Sequence, residues 1–164
     1  MQLARAAGAR VVGLVRREEH AGLVEEVGAH EVVVDESGAA ARERGPYDLV
    51  LESVGGEVLG NALSMLVPGG TCVSFGVSAS AEVEFEARKF YLTGGARLYG
   101  FILFHEVRAR PASGGLARLA RMVADGRLKP RIEVQAPWTE VGEIARRLIE
   151  RGYTGKAVLR VGPN

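Results

Sequence analysis

Apolar positions along this chain alternate between two kinds of spacing. Val11–Val15, Glu31–Asp35, Asp48–Ser53, Thr71–Phe75 and Ala96–Phe104 are short apolar or β-rich runs, of the length and type expected for strands buried in a parallel sheet. Between them apolar residues recur at three and four, the spacing of amphipathic helices. The pattern is clearest over Tyr47–Gly76. Asp48–Ser53 predicts a strand buried on both faces, which Gly55-Gly56 ends. Glu57–Val67 carries Val58, Leu59, Ala62, Leu63 and Leu66 at helical spacing. Pro68-Gly69-Gly70 is expected to stop that helix and turn the chain into the strand Thr71–Phe75. Strand, helix, strand is a right-handed βαβ unit. Ligands of open α/β sheets lie outside the strands' carboxyl ends. The expected site is therefore the rim formed by Ser53–Gly56 and Phe75–Val77, where glycine allows close approach.

Taken in order, Met1–Ala7 is a helix closed by Gly8, and the chain opens inside it without a cap. Glu18–Val27 is a helix with His20, Leu23, Val24 and Val27 on its apolar face. Glu36–Gly45 is a short helix or a loop. Val77–Ala81 is a loop, and the alternation EVEFE at Glu82–Glu86 fits a short edge strand or an extended arm. Ala87–Thr93 is a short helix. Ala96–Phe104, the most apolar segment, reads as the last parallel strand, with Gly100 permitting a close approach. Its end, Phe101–Phe104, suits either an edge that pairs with a partner or plain core. Ser113–Ala124 is a helix, Ile132–Ala136 a short strand and Pro137–Arg151 a helix with Thr139 near its cap and Trp138 as a packing anchor. Gly155–Val161 is the closing strand.

Composition narrows the class. The 164 residues suit one domain with a full core, 47% being apolar and 25% charged. A net charge of +1 gives no reason to expect nucleic acid or an acidic membrane as partner. One cysteine, Cys72, excludes an internal disulfide and reads as a buried structural thiol. The chain carries no signal peptide and no apolar run of membrane length, so a cytoplasmic protein is the default expectation. His20, His30 and His105 are scattered and remote from Cys72, a spacing unlike a zinc site.

Several segments together resemble the nucleotide-binding half of a medium-chain dehydrogenase/reductase, in particular its quinone oxidoreductase and enoyl reductase branch. They are Asp48-Leu49-Val50-Leu51-Glu52-Ser53-Val54-Gly55-Gly56, Pro68-Gly69-Gly70 with Ser74-Phe75-Gly76, Gln2–Val12, and Gly155-Lys156-Ala157-Val158-Leu159. The resemblance implies a Rossmann-type, doubly wound α/β sheet. The family's first strand and glycine-rich loop have no counterpart, since no G-x-G-x-x-G occurs in the chain, nor is there a catalytic domain. Residues 1–164 then form one partial dinucleotide-binding domain, and 132–164 would pack on that catalytic domain. In the order 3-2-1-4-5-6 the first strand lies between the second and fourth. Val11–Val15 and Asp48–Ser53 are thus expected to pair with each other, borrow a strand from a partner, or leave the chain marginal.

The same resemblance implies hydride transfer from a nicotinamide cofactor to a quinone, an enone or a similar conjugated carbonyl, a small-molecule substrate. Ser53, Val54 and Gly55, Phe75, Gly76 and Val77, and Phe101, Ile102 and Leu103 would hold ribose and nicotinamide through nearby backbone. Arg16 and Arg17 directly follow a strand whose end in dinucleotide folds carries an acid for the ribose 2′-hydroxyl or an Arg for a 2′-phosphate. A guanidinium fork suits a phosphate, which favours NADP(H) over NAD(H). Glu18 or Glu19 takes the NAD role if the strand runs longer. Lys156 is a further candidate for the cofactor, His105 for proton transfer or a solvated position. Asp48 and Glu52 share a strand face, with Glu52 near the site. Ala96–Phe104 is the expected homodimer edge. Two alternatives stand beside this reading: an S-adenosylmethionine-dependent methyltransferase-like domain, and a non-catalytic truncated binding module.

Overall fold

The computed structural model describes residues 1–162. The chain divides into two compact units, residues 1–112 and Ser113 onward.

In the first unit the strands are all parallel to their neighbours but fall into two sheets. β1 (Val12–Val15) pairs with β2 (Glu31–Val34). β3 (Tyr47–Glu52), β4 (Leu66–Ser74) and β5 (Arg97–Gly100) form the order β3-β4-β5. Helix α1 (Gln2–Ala6) precedes β1, and a 3-10 turn (Glu18–His20) runs into α2 (Ala21–Glu26), which packs on β1 and β2 through buried Val24. These orders reproduce the 3-2 and 4-5-6 halves of a doubly wound sheet. Among the described residues no strand holds the position between them. β1 and β3 do not pair with each other. Side chains join the two halves instead: Val33, Ala41 and Met65 cluster with Val12, Leu14 and Tyr47. The Tyr47 hydroxyl donates to the Ala41 carbonyl at 2.6 Å, and Glu31 forms ion pairs with both Arg10 and Arg44.

The main core lies under α3 (Gly56–Leu63), whose Leu59, Ala62 and Leu63 close on Leu66 and Cys72. Val50, Val83, Phe90 and Ala96 pack around them. The segment Ser80–Phe85 is an extended arm, not a strand, laid across α3. It comes so close that a Cβ on Gly60 would sit 2.3 Å from the Glu84 carbonyl oxygen. Phe85 and Phe90 (in α4, Ala87–Leu92) hold its end by an edge-to-face contact of 5.7 Å.

Several expectations change. Pro68-Gly69-Gly70 does not stop the helix, but the chain does turn there: a Cβ on Gly70 would lie 3.0 Å from Val67 O and 3.2 Å from Val67 N. The helix stops at Leu63, and Leu66–Ser74 is one strand with a bulge opposite Tyr47–Leu49. Gly69 at φ +75° donates its N–H to Gly94 O, and Gly70 sits 3.0 Å (by its virtual Cβ) from Tyr47 O, so glycine serves the bulge itself. β3 is covered on one face only. Leu49 and Leu51 are 56% and 64% exposed, since α3 packs on the Val50–Glu52 face and, among the described residues, no second layer buries the other. The last strand ends at Gly100, and Leu103–Ala109 is helix α5. Phe104, 78% exposed, is neither strand nor core.

The second unit contains α6 (Ala112–Ala124), which begins at the boundary, β6 (Ile132–Pro137), α7 (Val141–Ile149) and β7 (Lys156–Arg160). β6 and β7 pair in parallel, and Met122, Ala136 and Ile144 are buried. Trp138 is 55% exposed and so is no packing anchor. It opens a short 3-10 turn that Pro137 precedes, and Thr139 makes no cap hydrogen bond there.

Candidate functional site

The carboxyl ends of β3, β4 and β5 meet at one rim, and hydrogen bonds tie them in register. Phe75 N donates to Glu52 O at 2.9 Å and Phe101 N to Ser74 O at 2.8 Å. The loop after β4 folds back on the turn after β3. Ser78 N reaches Ser53 O at 3.1 Å, Ala79 N reaches Val54 O at 2.8 Å, and Gly55 bridges Ser80. Two glycines make this approach possible. Gly55 holds φ +76°, ψ −162°, and a Cβ there would lie 2.0 Å from Ser80 O. A Cβ on Gly76 would lie 3.0 Å from Ser53 O. The structure thus brings Ser53–Gly55, Phe75–Val77 and Phe101 together, followed by Ile102 and Leu103 at the start of α5. Phe75, Val77, Ile102 and Leu103 are all more than half exposed, which gives the rim an apolar border.

Glu52, unremarkable in the sequence beyond its place near the strand end, organises the turn. It is 3% exposed. Its Oε1 accepts from Val54 N at 2.5 Å and Gly55 N at 2.9 Å, beside the start of α3. Oε2 has no partner among the described residues. The N–H groups of Val54 and Gly55 are therefore engaged inside the protein. The Ser53 carbonyl accepts from Ser78 N, and the Val54 carbonyl from both Ala79 N and Ser80 N. The signal that could have found this is the carboxylate two and three residues before the glycine turn, a spacing that lets it reach back to the following amides.

Cys72 is fully buried, and burial, with Glu52's charge second, pushes its thiol up to about 11. It stays protonated and inert. Asp35, after β2, accepts from Ala40 N at 2.9 Å and from the Ser37 hydroxyl at 3.1 Å, contacts that hold its carboxyl below the ordinary range. That carboxylate thus shapes the loop.

Arg16 and Arg17 follow the carboxyl end of β1, which stops at Val15. Arg17 pairs with Glu19 at 3.3 Å, and Glu18 opens the 3-10 turn. Arg16 is exposed and carries no ion pair among the described residues. No hydrogen bond joins either arginine to the rim. His105 is exposed on α5, and Lys156 begins β7 in the second unit. Among the described residues no group of three or more His, Cys, Asp or Glu is placed to hold a metal. No helix among them is long and apolar enough to cross a membrane.

A parallel α/β fold with its candidate site at the carboxyl ends of β3–β5 defines a Rossmann-type nucleotide-binding domain. The profile of the zinc-binding dehydrogenase family matches residues 1–118, and the chain belongs to that family, within the medium-chain dehydrogenase/reductase superfamily. It is 28% identical over 166 aligned positions to the quinone oxidoreductase of Sus scrofa, covering 96% of this chain and 49% of that protein. It is 29% identical to that of Homo sapiens with the same coverage. The chain thus spans about half the length of these curated relatives. A mycobacterial quinone oxidoreductase structure shares the fold at TM-score 0.84 and 23% identity, over 96% of this chain and 51% of that one. A mycobacterial protein solved in complex with NADPH does so at 0.76 and 23%, over 99% and 52%. The chain is a nucleotide-binding portion of the oxidoreductase type.

Proposed function

We propose that this chain is the NADP(H)-binding portion of an oxidoreductase that passes hydride to a quinone, an enone or a similar conjugated carbonyl. The observation that carries the cofactor choice is Arg16: exposed, in no ion pair among the described residues, and at the strand end where dinucleotide folds read the ribose 2′ position. An acidic residue at that place would suit NAD(H), or the ribose of S-adenosylmethionine in the methyltransferase alternative. The structural neighbour solved with NADPH supports the same choice by analogy.

The rim fits such a cofactor. Apolar Phe75, Val77 and Ile102 suit one face of a nicotinamide, the Ser53 hydroxyl suits a ribose hydroxyl, and Arg16 suits a 2′-phosphate. The cofactor supplies hydride chemistry. These residues bind and orient it, and the apolar border excludes water on one side. β5, exposed along its whole length with Leu98 and Tyr99 near half exposed, supports pairing with a second copy of the chain.

Calorimetric titration of the chain with NADPH and with NADH tests the reading. The expected result is weak binding, because β1 and β3 each keep an unpaired edge, with NADPH preferred and the preference lost in Arg16→Ala. Equal affinity for both cofactors refutes Arg16 as the phosphate reader. Binding of S-adenosylmethionine but neither cofactor favours the methyltransferase alternative.

A further inference from the structure

The two arginines after β1 are not equivalent. Arg16 is exposed and in no ion pair among the described residues. Arg17 Nη1 donates to Glu19 Oε1 at 3.3 Å. His20 Nε2 lies 3.8 Å from the same oxygen, beyond hydrogen-bond reach, so Arg17 is the bonded partner of that carboxylate. The local backbone sets this up. β1 stops at Val15, Arg17 is extended (φ −136°, ψ 140°), and in the 3-10 turn Glu18–His20 the His20 N–H donates to Arg17 O at 3.1 Å, which brings Glu19 round beside the guanidinium. The pair is loose. Its contact is long for a charge-assisted bond, and its side chains are 69% and 63% exposed, where an ion pair contributes little. A phosphate dianion carries twice the charge of a carboxylate and fits a guanidinium fork through two bonds, so it displaces Glu19 from Arg17. Displacement does not remove the carboxylate, which stays tied to Arg17 through the chain. A unit charge roughly 6 Å from a dianion opposes its binding by about tenfold in water, and by about threefold once physiological salt screens it.

We infer that Glu19 is a positioning residue that acts through Arg17: it competes with a ligand phosphate for that guanidinium, weakens the binding of a phosphate monoester beside β1, and leaves Arg16 to carry the recognition. The inference deepens the NADP(H) reading above and rests on it for the placement of a 2′-phosphate. Glu19 does not play the part of an acid at the strand end. It lies beyond the end of β1, inside the 3-10 turn, and its carboxylate is engaged by Arg17. It therefore tempers the preference for a phosphate without serving a ribose hydroxyl.

The test follows the arginine side-chain N–H signals of the isotope-labelled chain 1–164 by NMR. The proteins are the wild type, Glu19→Gln, which keeps the size and removes the charge, and Glu18→Gln, which removes a neighbouring charge that pairs with neither arginine among the described residues. The probes are adenosine 2′-monophosphate, adenosine and inorganic phosphate. At low salt Glu19→Gln should bind both phosphates about three- to tenfold more tightly than the wild type, with the Arg17 signal moving and the gain shrinking as salt is added. Adenosine should bind all three proteins alike, and Glu18→Gln should gain clearly less than Glu19→Gln. A gain below about twofold for both phosphates overturns the inference. So does an equal gain in Glu18→Gln, which would reduce the effect to net charge, and so does a gain that salt leaves unchanged. The cofactor reading stands or falls separately. If Glu19→Gln gains for inorganic phosphate while Arg16→Ala leaves NADPH and NADH binding unchanged, Glu19's competition is retained and the 2′-phosphate assignment falls. If Arg16→Ala abolishes a preference for NADPH but Glu19→Gln gains nothing, the inference alone falls.

Discussion

Gly55→Ala is the sharpest single perturbation of the rim. At φ +76°, ψ −162° the backbone lies in a region open only to glycine, and placing a side chain there costs about 1–3 kcal/mol in strain. The added Cβ would also stand 2.0 Å from Ser80 O and 3.4 Å from the Val77 Cα. Both are backbone atoms, so the loop must move away by more than an ångström. The movement breaks the bonds from Ser78 N to Ser53 O and from Ala79 N to Val54 O, at about 1 kcal/mol each. The sum is about 3–5 kcal/mol, a large part of the roughly 5–15 kcal/mol that holds a domain together. Melting should fall by roughly 6–20 °C, followed by circular dichroism with amide exchange on the isotope-labelled chain. Gly114→Ala is the control: it lies in α6 with nothing within 4 Å of its Cβ position, and should be neutral or gain up to about 1 kcal/mol. A Gly55→Ala protein that melts within about 2 °C of the wild type, with the Ser78 and Ala79 amides still protected, would refute the reasoning.

Other consequences follow from named groups. Cys72 is fully buried with its thiol pushed up to about 11, so a disulfide reagent at pH 8 should leave the native chain unmodified and titrate one thiol after denaturation; prompt reaction of the folded protein would contradict that burial. Asp35's carboxyl is held below its ordinary 3.8, first by the Ala40 N–H, against opposing desolvation. Its contribution to stability is complete above that value and is lost as pH falls through the lower, folded-state pKa. Asp35→Asn should flatten this part of the acid limb in urea titrations from pH 5 to 2, and an unchanged limb would show the loop contacts to be idle.

Much of this protein was legible in its amino-acid order. The two spacings of apolar residues marked the parallel strands and the helices, because a strand shows its faces at a period of two and a helix at 3.6. The glycines after β3 and β4 marked the rim, since close backbone approach needs a missing Cβ. The exposed basic pair after β1 was plain from position alone.

Tertiary structure decided the rest. Whether Pro68-Gly69-Gly70 ends a helix or bulges a strand depends on what lies opposite, and Tyr47 and Gly94 supply the partners that keep it in the sheet. Whether Leu49 and Leu51 are core depends on a second covering layer, which no local pattern encodes. Ile102 to Phe104 have the composition of a strand, but no neighbouring strand continues beyond Ser74 and Gly100, and the backbone satisfies itself as a helix instead. The orientation of Glu52 is the clearest case. Alternation places it on the α3 face, and only the folded turn brings Val54 N and Gly55 N onto its carboxylate. A sequence carries its strands and helices locally, in the period of its side chains. The direction in which a buried charge is satisfied is a property of the surroundings, and those exist only once the chain has folded.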